Sequence, residues 1–354
     1  MQTVRFAVVG CGYIGKRHAE MINREPHARL VATVDILSDI QIPGEDGQPV
    51  PHFTSLEDFF RSEIACDVVN ICTPNGLHAA QAIEAIRHDK HVVIEKPLAL
   101  SRKEAENVLF EALRHNVLVF GVMQNRYSPP SRWLKEMVDS GRLGRIYSVH
   151  IHCFWNRDQR YYTPGHWHGT ADLDGGTLFT QFSHFIDIMF WLFGDIRNIR
   201  GHFADFAHQT LTDFEDAGAL SFEFDSGALG TLSYSTAVWD KNLESSITII
   251  AEKGSIKVGG QYMEKVEYCH VKDYQFTELP PTNPGNDYGY YKGSAQNHNF
   301  VIENIVQVLN GSGRITTNAL EGLKVVDIIE RIYALRPARI FQEKRRNRQA
   351  SSTL

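Results

Sequence analysis

The chain has 354 residues, of which 43% are hydrophobic and 22% are charged, and its formal net charge is −6 at pH 7. This length allows two domains with buried cores, and the composition excludes a fibrous or disordered chain. The small, distributed negative charge excludes an electrostatic surface for nucleic acid.

The cysteines and the apolar segments bear on metal binding and location. The five cysteines are scattered and form no C-x-x-C pair, so we expect reduced thiols and no metal. The N-terminal residues lack a basic segment followed by an apolar one, which predicts no secretory signal and a cytoplasmic protein. The most apolar stretch, residues 178–196, contains polar and charged side chains and predicts a buried helix, with no membrane association.

From residue 1 to about residue 122, short apolar runs alternate with helical patterns. This alternation predicts an α/β domain in which helices cover both faces of a parallel sheet. A stretch with glycines and prolines at 40–52 is predicted to be a surface loop of this domain. The predicted strands are residues 4–9, 30–35, 67–72, 91–94 and 117–122.

A G-x-G-x-x-G sequence follows the first predicted strand and precedes a predicted helix at 16–23. In such a unit Gly10 permits the tight turn, Gly12 lets the backbone approach a pyrophosphate, and Gly15 lets the helix pack on the strand. The free N–H groups of the helix N-terminus attract the phosphates. The context predicts a dinucleotide site, and a purely structural turn is the disfavoured alternative.

Asp35 ends the second predicted strand, close to the separation expected for the acid that binds the adenosine ribose diol. The next three residues, Ile36, Leu37 and Ser38, include no cation that could receive the additional phosphate of NADP. The predicted cofactor is therefore NAD.

Polar residues follow the next two predicted strands, at the edge where open α/β sheets bind ligands. Thr73 and Asn75 can hydrogen-bond a cofactor; the alternative is an ordinary Asn-Gly turn with His78 as a helix residue. Lys96, in a Glu-Lys-Pro sequence, can polarise a carbonyl or alkoxide and exchange its proton. Its alternative is a plain surface lysine.

Past residue 126, a helix near 130–140 leads into strands with period-two alternation at 146–154, 217–224, 230–236 and 246–251. These strands predict an α+β domain with an open, mostly antiparallel sheet, whose free face would form a homodimer or homotetramer. Late helices are predicted at 297–309 and 319–335. The predicted domains are residues 1–122 and 123–342, followed by a mobile polar tail at 343–354.

A double glycine at 175–176 precedes a helical pattern. Spacings of three and four place Thr180, His184 and Asp187 along one helix face, with Gln181 beside them. A single histidine in an apolar helix is more often structural than catalytic. The polar residues one turn before and after His184 favour the catalytic role.

These three motifs, in this order, resemble the glucose-fructose oxidoreductase and inositol dehydrogenase family (Gfo/Idh/MocA), over the chain to about residue 336. The resemblance implies a Rossmann domain, a second domain whose sheet often forms the oligomer interface, and action of Lys96 and His184 on a substrate hydroxyl. Two positions depart from the family. Its helix aspartate is Thr180 here, and its Trp-Arg pair is Trp167-His168.

Four segments, 124–126, 154–157, 241–244 and 254–260, resemble a subgroup of that family. Its members are nucleotide-sugar 3-dehydrogenases, which oxidise the carbon-3 hydroxyl of UDP-N-acetylglucosaminuronic acid for bacterial surface polysaccharides. A residue other than aspartate is tolerated there at the position of Thr180.

We therefore predict hydride transfer from a sugar ring carbon to NAD, with Lys96 and His184 handling the hydroxyl proton and either one as the base. The alternatives are a dehydrogenase of a free sugar or polyol such as inositol, and a non-catalytic protein that binds NAD and a sugar. The predicted cofactor site comprises Gly10, Gly12, Tyr13, Ile14, Gly15, Asp35, Thr73, Asn75, His78, Glu95, Lys96, Gln124 and Trp167. The predicted substrate site comprises Lys96, Asn156, Arg157, Thr180, Gln181, His184 and Asn242, of which the amides and Arg157 have a loop-stabilising role as their alternative.

Overall fold

The computed structural model describes residues 1–163, 165–289 and 291–337. The chain divides into two compact units. The first contains residues 1–124 and 297–327, and the second contains residues 125–296 and the described residues from 328 onwards. The segment 297–327, which we placed in a domain spanning 123–342, belongs to the first unit by its contacts. The predicted polar tail at 343–354 lies outside the described residues.

The first unit is built on a six-stranded parallel sheet in the order β3-β2-β1-β4-β5-β6. This confirms the predicted parallel sheet of a Rossmann-like domain. The central strands are almost wholly buried, as expected for a parallel sheet covered on both faces. The strands are β1 (Val4–Val9), β2 (Ala28–Val34), β3 (His52–Phe53), β4 (Val68–Ile71), β5 (His91–Ile94) and β6 (Val119–Gly121).

Eight α-helices are found among the described residues, and serine caps begin two of them. Ser55 and Ser101 each accept a hydrogen bond from a backbone N–H of the first turn. In the first unit α7 packs against α1. The helices are α1 (Tyr13–Arg24), α2 (Leu56–Arg61), α3 (His78–Arg87), α4 (Arg102–His115), α5 (Pro129–Asp139), α6 (Ser183–Phe193), α7 (His298–Leu309) and α8 (Ala319–Tyr333).

The second unit contains a seven-stranded sheet in the order β13-β12-β11-β7-β10-β9-β8, in which β7 and β10 are parallel and the other neighbours antiparallel. The predicted mostly antiparallel sheet is confirmed. Buried and less buried residues alternate along β7, so one face of the sheet is more open. The strands are β7 (Ile146–Phe154), β8 (Ile196–Ala204), β9 (Ala217–Phe224), β10 (Leu229–Ser235), β11 (Glu244–Ala251), β12 (Gly254–Gly259), β13 (Lys265–Val271), and the separate pair β14 (Gly285–Asp287) and β15 (Lys292–Ala295).

The apolar segment 178–196 differs from the single continuous helix that we predicted. A π-helical turn, Leu178–Phe182, precedes α6, and Gly194 ends α6 with a positive φ of 81°. Ile196 already begins β8. Thr180 therefore lies in the π turn, where the face relations of a regular α-helix do not hold. In the described part of the chain, no helix is long and apolar enough to cross a bilayer.

Candidate cofactor and active-site residues

The glycine sequence lies at the point where the strand order of the first sheet reverses, between β1 and β4. Ligands of open α/β sheets bind at this point. A Cβ atom on Gly10 would lie 2.8 Å from the carbonyl carbon of Cys72, and one on Gly15 would lie 1.8 Å from the carbonyl oxygen of Gly10. A Cβ on Gly12 would meet nothing within 4 Å. Gly10 and Gly15 are thus required for packing, whereas Gly12 faces open space with room for a pyrophosphate.

Helix α1 begins directly after Gly12, and no side chain caps its N-terminus. Its first N–H groups and positive dipole end are therefore available to phosphates. Tyr13 is exposed and Ile14 is partly exposed in this first turn. Asp35, after β2, accepts hydrogen bonds from the backbone N–H of Cys11 (2.7 Å) and of Leu37 (3.1 Å). The structure thus brings this acid beside the glycine turn. A dinucleotide fits these residues, because phosphate donors and a diol acceptor lie at one edge.

The loop after β4 is joined to the Glu-Lys-Pro sequence by a buried histidine. His78 Nδ1 lies 2.7 Å from the carbonyl oxygen of Pro97, and its Nε2 lies 2.8 Å from that of Thr73. Burial lowers the pKa of His78, although both carbonyls and the charge of Glu95 oppose the shift. The Thr73 hydroxyl donates to Gln81 Oε1 (2.5 Å), and Asn75 is buried in a 3₁₀ turn. His78 therefore spans both predicted cofactor loops.

The carboxylate of Glu95 contacts two histidines and a backbone N–H of its own unit. Its Oε1 lies 2.9 Å from His18 Nε2 and 3.4 Å from His298 Nε2, and its Oε2 accepts from the backbone N–H of Lys96 (3.2 Å). Burial would raise the pKa of Glu95, but the hydrogen bond with His18 and the close imidazole of His298 hold it well below its usual range. Lys96 itself is partly exposed, directly after Glu95. Gln124, also predicted to bind the cofactor, is buried, and its backbone carbonyl oxygen accepts from Asn297 Nδ2 (3.1 Å).

In the second unit, four predicted substrate residues form one buried network centred on Arg157. Its Nε donates to Gln181 Oε1 (2.7 Å), and its Nη1 donates to Asn242 Oδ1 (3.2 Å). Asn242 Oδ1 also accepts from the backbone N–H of Asn156 (3.0 Å). The guanidinium further donates to the carbonyl oxygens of Asn156 and Lys292. These contacts match the loop-stabilising alternative that the sequence left open.

The charge of Arg157 is not paired with a carboxylate among the described residues. The rings of Trp155, Tyr161 and Tyr291 lie 4.7–5.3 Å from its guanidinium carbon. Burial lowers the pKa of this guanidinium, and the surrounding tyrosines oppose the shift. Gln181 links the network to the Tyr161 hydroxyl (2.9 Å). A buried cation surrounded by neutral partners attracts an anion.

Thr180 lies in the π turn and His184 lies in the first turn of α6, and both are buried. The Thr180 hydroxyl hydrogen-bonds to both the carbonyl and the carboxylate of Asp174, whose Oδ2 also accepts from the N–H of Gly169 (2.7 Å). A carboxylate thus lies beside the position where the related family has an aspartate. π turns are frequent at functional sites, which adds weight to this segment.

Two predicted residues fall outside these groups. Trp167, predicted to bind the cofactor, lies in the second unit and stacks on His168, with ring centroids 3.8 Å apart. His168 in turn stacks on His166. Asp187 pairs with Arg126 rather than lying free beside His184. Lys96 belongs to the first unit and His184 to the second.

His18, His298 and Asp174 contact predicted site residues, but sequence reasoning did not select them. One feature of the sequence could have identified His18: it is a polar residue on the buried face of α1, three residues after Gly15. No such feature identifies His298, because its contact with Glu95 joins residues far apart in the chain. His18, Glu95 and His298 also form a cluster with donor atoms within 4.8 Å of one another.

The strand order, the uncapped glycine turn and the acid after β2 define a dinucleotide-binding oxidoreductase domain. A sequence model described as "Oxidoreductase family, NAD-binding Rossmann fold" matches residues 4–122, and one described as "GFO/IDH/MocA C-terminal domain" matches residues 131–257. The chain belongs to the Gfo/Idh/MocA family and is an NAD-dependent oxidoreductase. The resemblance and the cofactor predicted from the sequence are confirmed.

Three individual relatives are similar to this chain over most of its length. The WlbA dehydrogenase of Bordetella pertussis, solved with NADH and UDP-GlcNAcA, is 30% identical with a TM-score of 0.83, covering 94% of this chain and 96% of that chain. The WlbA enzyme of Chromobacterium violaceum, solved with the same ligands, is 29% identical with a TM-score of 0.83, covering 95% and 94%. The scyllo-inositol 2-dehydrogenase (NAD(+)) of Bacillus subtilis is 27% identical over 78% of this chain and 80% of its own length.

Proposed function

We propose that this enzyme oxidises the carbon-3 hydroxyl of UDP-N-acetylglucosaminuronic acid with NAD, in the synthesis of bacterial surface-polysaccharide precursors. The observation that carries the proposal is the 30% identity and TM-score of 0.83 to a dehydrogenase solved with NADH and that sugar, over nearly the full length of both chains. The four short segments that resemble the nucleotide-sugar subgroup support the same substrate. The missing aspartate at Thr180 is consistent with that subgroup.

The chemistry requires removal of a proton from the hydroxyl and of a hydride from the carbon that bears it. Bound NAD supplies the hydride acceptor. Lys96 and His184 are the residues that we propose for the proton. Lys96 is suited to this role, because it is partly exposed and its backbone is hydrogen-bonded to the buried carboxylate of Glu95. The pH dependence of kcat in the two single variants would show which of the two residues acts as the base.

We propose that Arg157 provides positive charge for the sugar carboxylate, with Asn156, Gln181 and Asn242 holding the guanidinium in place. Its described donors reach only neutral oxygens, so its charge is available to an added anion. Because these bonds occupy most of its N–H groups, we expect mainly charge attraction and at most one direct hydrogen bond. Thr180 beside Asp174 completes the proposed substrate residues.

The open face of the second sheet is the surface that we propose for a homodimer or homotetramer. Polar and half-buried side chains at 148, 150 and 152 alternate with buried residues of the other face. Sedimentation of the purified protein would test this assembly. We further propose a cytoplasmic location, where nucleotide sugars are made.

The first test follows absorbance of NADH when NAD is mixed with UDP-N-acetylglucosaminuronic acid, UDP-N-acetylglucosamine, myo-inositol or glucose. We expect a signal, including a single-turnover burst, with the uronic acid alone. Signal with the free polyol or sugar alone would replace the proposal by the inositol-type activity, which the Bacillus subtilis relative supports. No signal with all four, despite bound NAD, would favour a protein that binds NAD and a sugar without turnover.

Lys96→Met should abolish turnover while NAD still binds, because the change removes the ammonium and keeps the apolar stem. Parallel measurement of NADH formation and of NAD affinity checks both parts. Lys90→Met, at a lysine that is partly exposed like Lys96 but lies before β5, is the control and should keep full activity. Retained turnover in Lys96→Met would remove Lys96 from the mechanism.

A further inference from the structure

A network of buried side chains connects Asn70, His18 and His298 to Glu95 of the Glu-Lys-Pro sequence, and the function proposed above gives the two histidines no role. Asn70 Nδ2 is 2.9 Å from His18 Nδ1, and His18 Nε2 is 2.9 Å from Glu95 Oε1. His298, the first residue of α7, reaches the same oxygen at 3.4 Å. All four side chains belong to the first unit and are at most 6% exposed.

The donors and acceptors of this network can be assigned in order from Asn70 to Glu95. With the Asn70 amide donating to Nδ1, the proton of His18 is on Nε2 and is donated to Glu95. That nitrogen then has no lone pair for a metal, so a hydrogen-bond network describes the cluster better than a metal site does. One carboxylate oxygen faces both imidazoles, and the second accepts the backbone N–H of Lys96 at 3.2 Å.

This arrangement restricts the rotation of the Glu95 carboxylate. The hydrogen bond from His18 to Oε1 (2.9 Å) and the close contact of His298 Nε2 with the same oxygen (3.4 Å) restrict the plane of the group, and that plane places Oε2 opposite the N–H of Lys96. His18 comes from α1, directly after the glycine turn, and His298 comes from the late segment that returns to the first unit. Errors of about 1 Å in the placement of a reacting group can cost about 100-fold in rate.

We propose that His18 and His298 are positioning residues that hold the backbone of Lys96 through the Glu95 carboxylate. The effect on turnover rests on the proposed role of Lys96, whereas the effect on its backbone does not. A failure of the proposed function can therefore be distinguished from a failure of this inference.

The experiment compares His298→Leu with His298→Gln in the full-length protein with NAD bound. Glutamine can place an amide N–H where His298 Nε2 lies, whereas leucine fills the space without a donor. His91→Leu is the matched control, because His91 lies at the opposite end of β5 and binds the N–H of Leu118. His298→Asn is a milder second variant that keeps a polar group but ends short of Glu95.

The readouts are hydrogen exchange of the Lys96 amide, NAD affinity, and kcat with the sugar that gives NADH. In His298→Leu we expect the Lys96 amide to exchange about tenfold faster, because its hydrogen bond to Glu95 Oε2 would be lost, and one ordinary hydrogen bond corresponds to a change of about this size. We expect kcat to fall about 10- to 100-fold with NAD affinity unchanged, the size of a misplaced reacting group. His298→Asn should show the same changes to a smaller extent, His298→Gln should restore both values, and His91→Leu should leave both unchanged.

Unchanged exchange of the Lys96 amide in His298→Leu and His298→Asn would overturn the inference, whatever the substrate proves to be. A loss of NAD affinity with kcat unchanged at saturating NAD would also overturn it, since the effect would then be on cofactor binding and not on the position of Lys96. Equimolar metal in the purified protein that disappears in His298→Leu would make the cluster a metal site instead. If the wild-type protein oxidises none of the four sugars, the proposed function fails, and the exchange measurement still decides the inference.

Discussion

Two buried arginines in the second unit have opposite surroundings. Arg126 forms a two-point ion pair with Asp187, through Nε to Oδ2 at 2.8 Å and Nη2 to Oδ1 at 2.6 Å, and both side chains are at most 1% exposed. Arg157 is 2% exposed, yet its described partners are neutral oxygens and aromatic rings.

The difference separates a structural charge from one available to a ligand. Burying a charge is costly, and a carboxylate at hydrogen-bond distance offsets most of that cost within the protein itself. Arg157 lacks this compensation, so an anionic ligand would gain most from being placed near it. The comparison therefore supports the recognition role that we propose for Arg157 and indicates a role in stability for Arg126.

The largest effect on stability is expected for Arg126→Leu. This change leaves Asp187 buried and uncompensated, which should lower the free energy of unfolding by about 3–5 kcal/mol. Urea unfolding measures it. The double variant Arg126→Leu with Asp187→Leu removes both charges and should recover much of the loss. If the double variant is no more stable than the single one, the pair is not the source of the effect.

Arg157→Met should have a smaller effect on stability and a selective one on substrate binding. It removes a donor to several buried oxygens, which corresponds to about 1–3 kcal/mol. For UDP-N-acetylglucosaminuronic acid, Kd should rise about tenfold, the equivalent of 1.4 kcal/mol in binding, whereas the Kd of UDP-N-acetylglucosamine, which lacks the sugar carboxylate, should be little affected. Equilibrium binding of UDP-N-acetylglucosaminuronic acid and UDP-N-acetylglucosamine to the NAD-bound protein provides the comparison, and the exposed Arg145→Met is the control. Equal effects on both sugars would assign Arg157 a purely structural role.

The first unit was the more predictable from sequence, because its features are local. The strand, glycine turn and helix that hold Gly10 to Gly15 are adjacent in the chain, and β1 and β5 have the predicted bounds. Their positions follow from apolar runs and glycine spacing alone. What could not be predicted there is long-range: nothing in the spacing indicates that His298 reaches Glu95.

The second unit shows the other limit of sequence reasoning. The residues Asn156, Arg157, Gln181 and Asn242 were selected together, and the structure does bring them together. Their contacts could not be predicted, because each side chain can bind either a ligand or a neighbouring loop. The π turn at Thr180 was also missed, since helical spacing assumes 3.6 residues per turn throughout.

The smallest expected effect is a pH dependence that contrasts the two units. Burial lowers the folded-state pKa of both His78 and His298, so the unfolded state binds more protons below pH 6.5 and stability falls as pH drops. Glu95 affects stability only at lower pH than the histidines do. Its pKa is lowered, so its stabilisation is present above the unfolded carboxyl pKa of about 4.3 and is lost only below it.

Between pH 7 and 5 each buried histidine can therefore contribute a slope of at most about 1.4 kcal/mol per pH unit, the value for one proton. His298→Gln should flatten the curve of unfolding free energy over this range. The double variant at Arg126 and Asp187 should run parallel to the wild type, because arginine does not titrate there and the leucine pair carries no proton. Urea unfolding at half-unit steps of pH tests both expectations. A His298→Gln curve with the wild-type slope would mean that His298 does not gain its proton only on unfolding, and the acid sensitivity would then have to come from His78 or from another group.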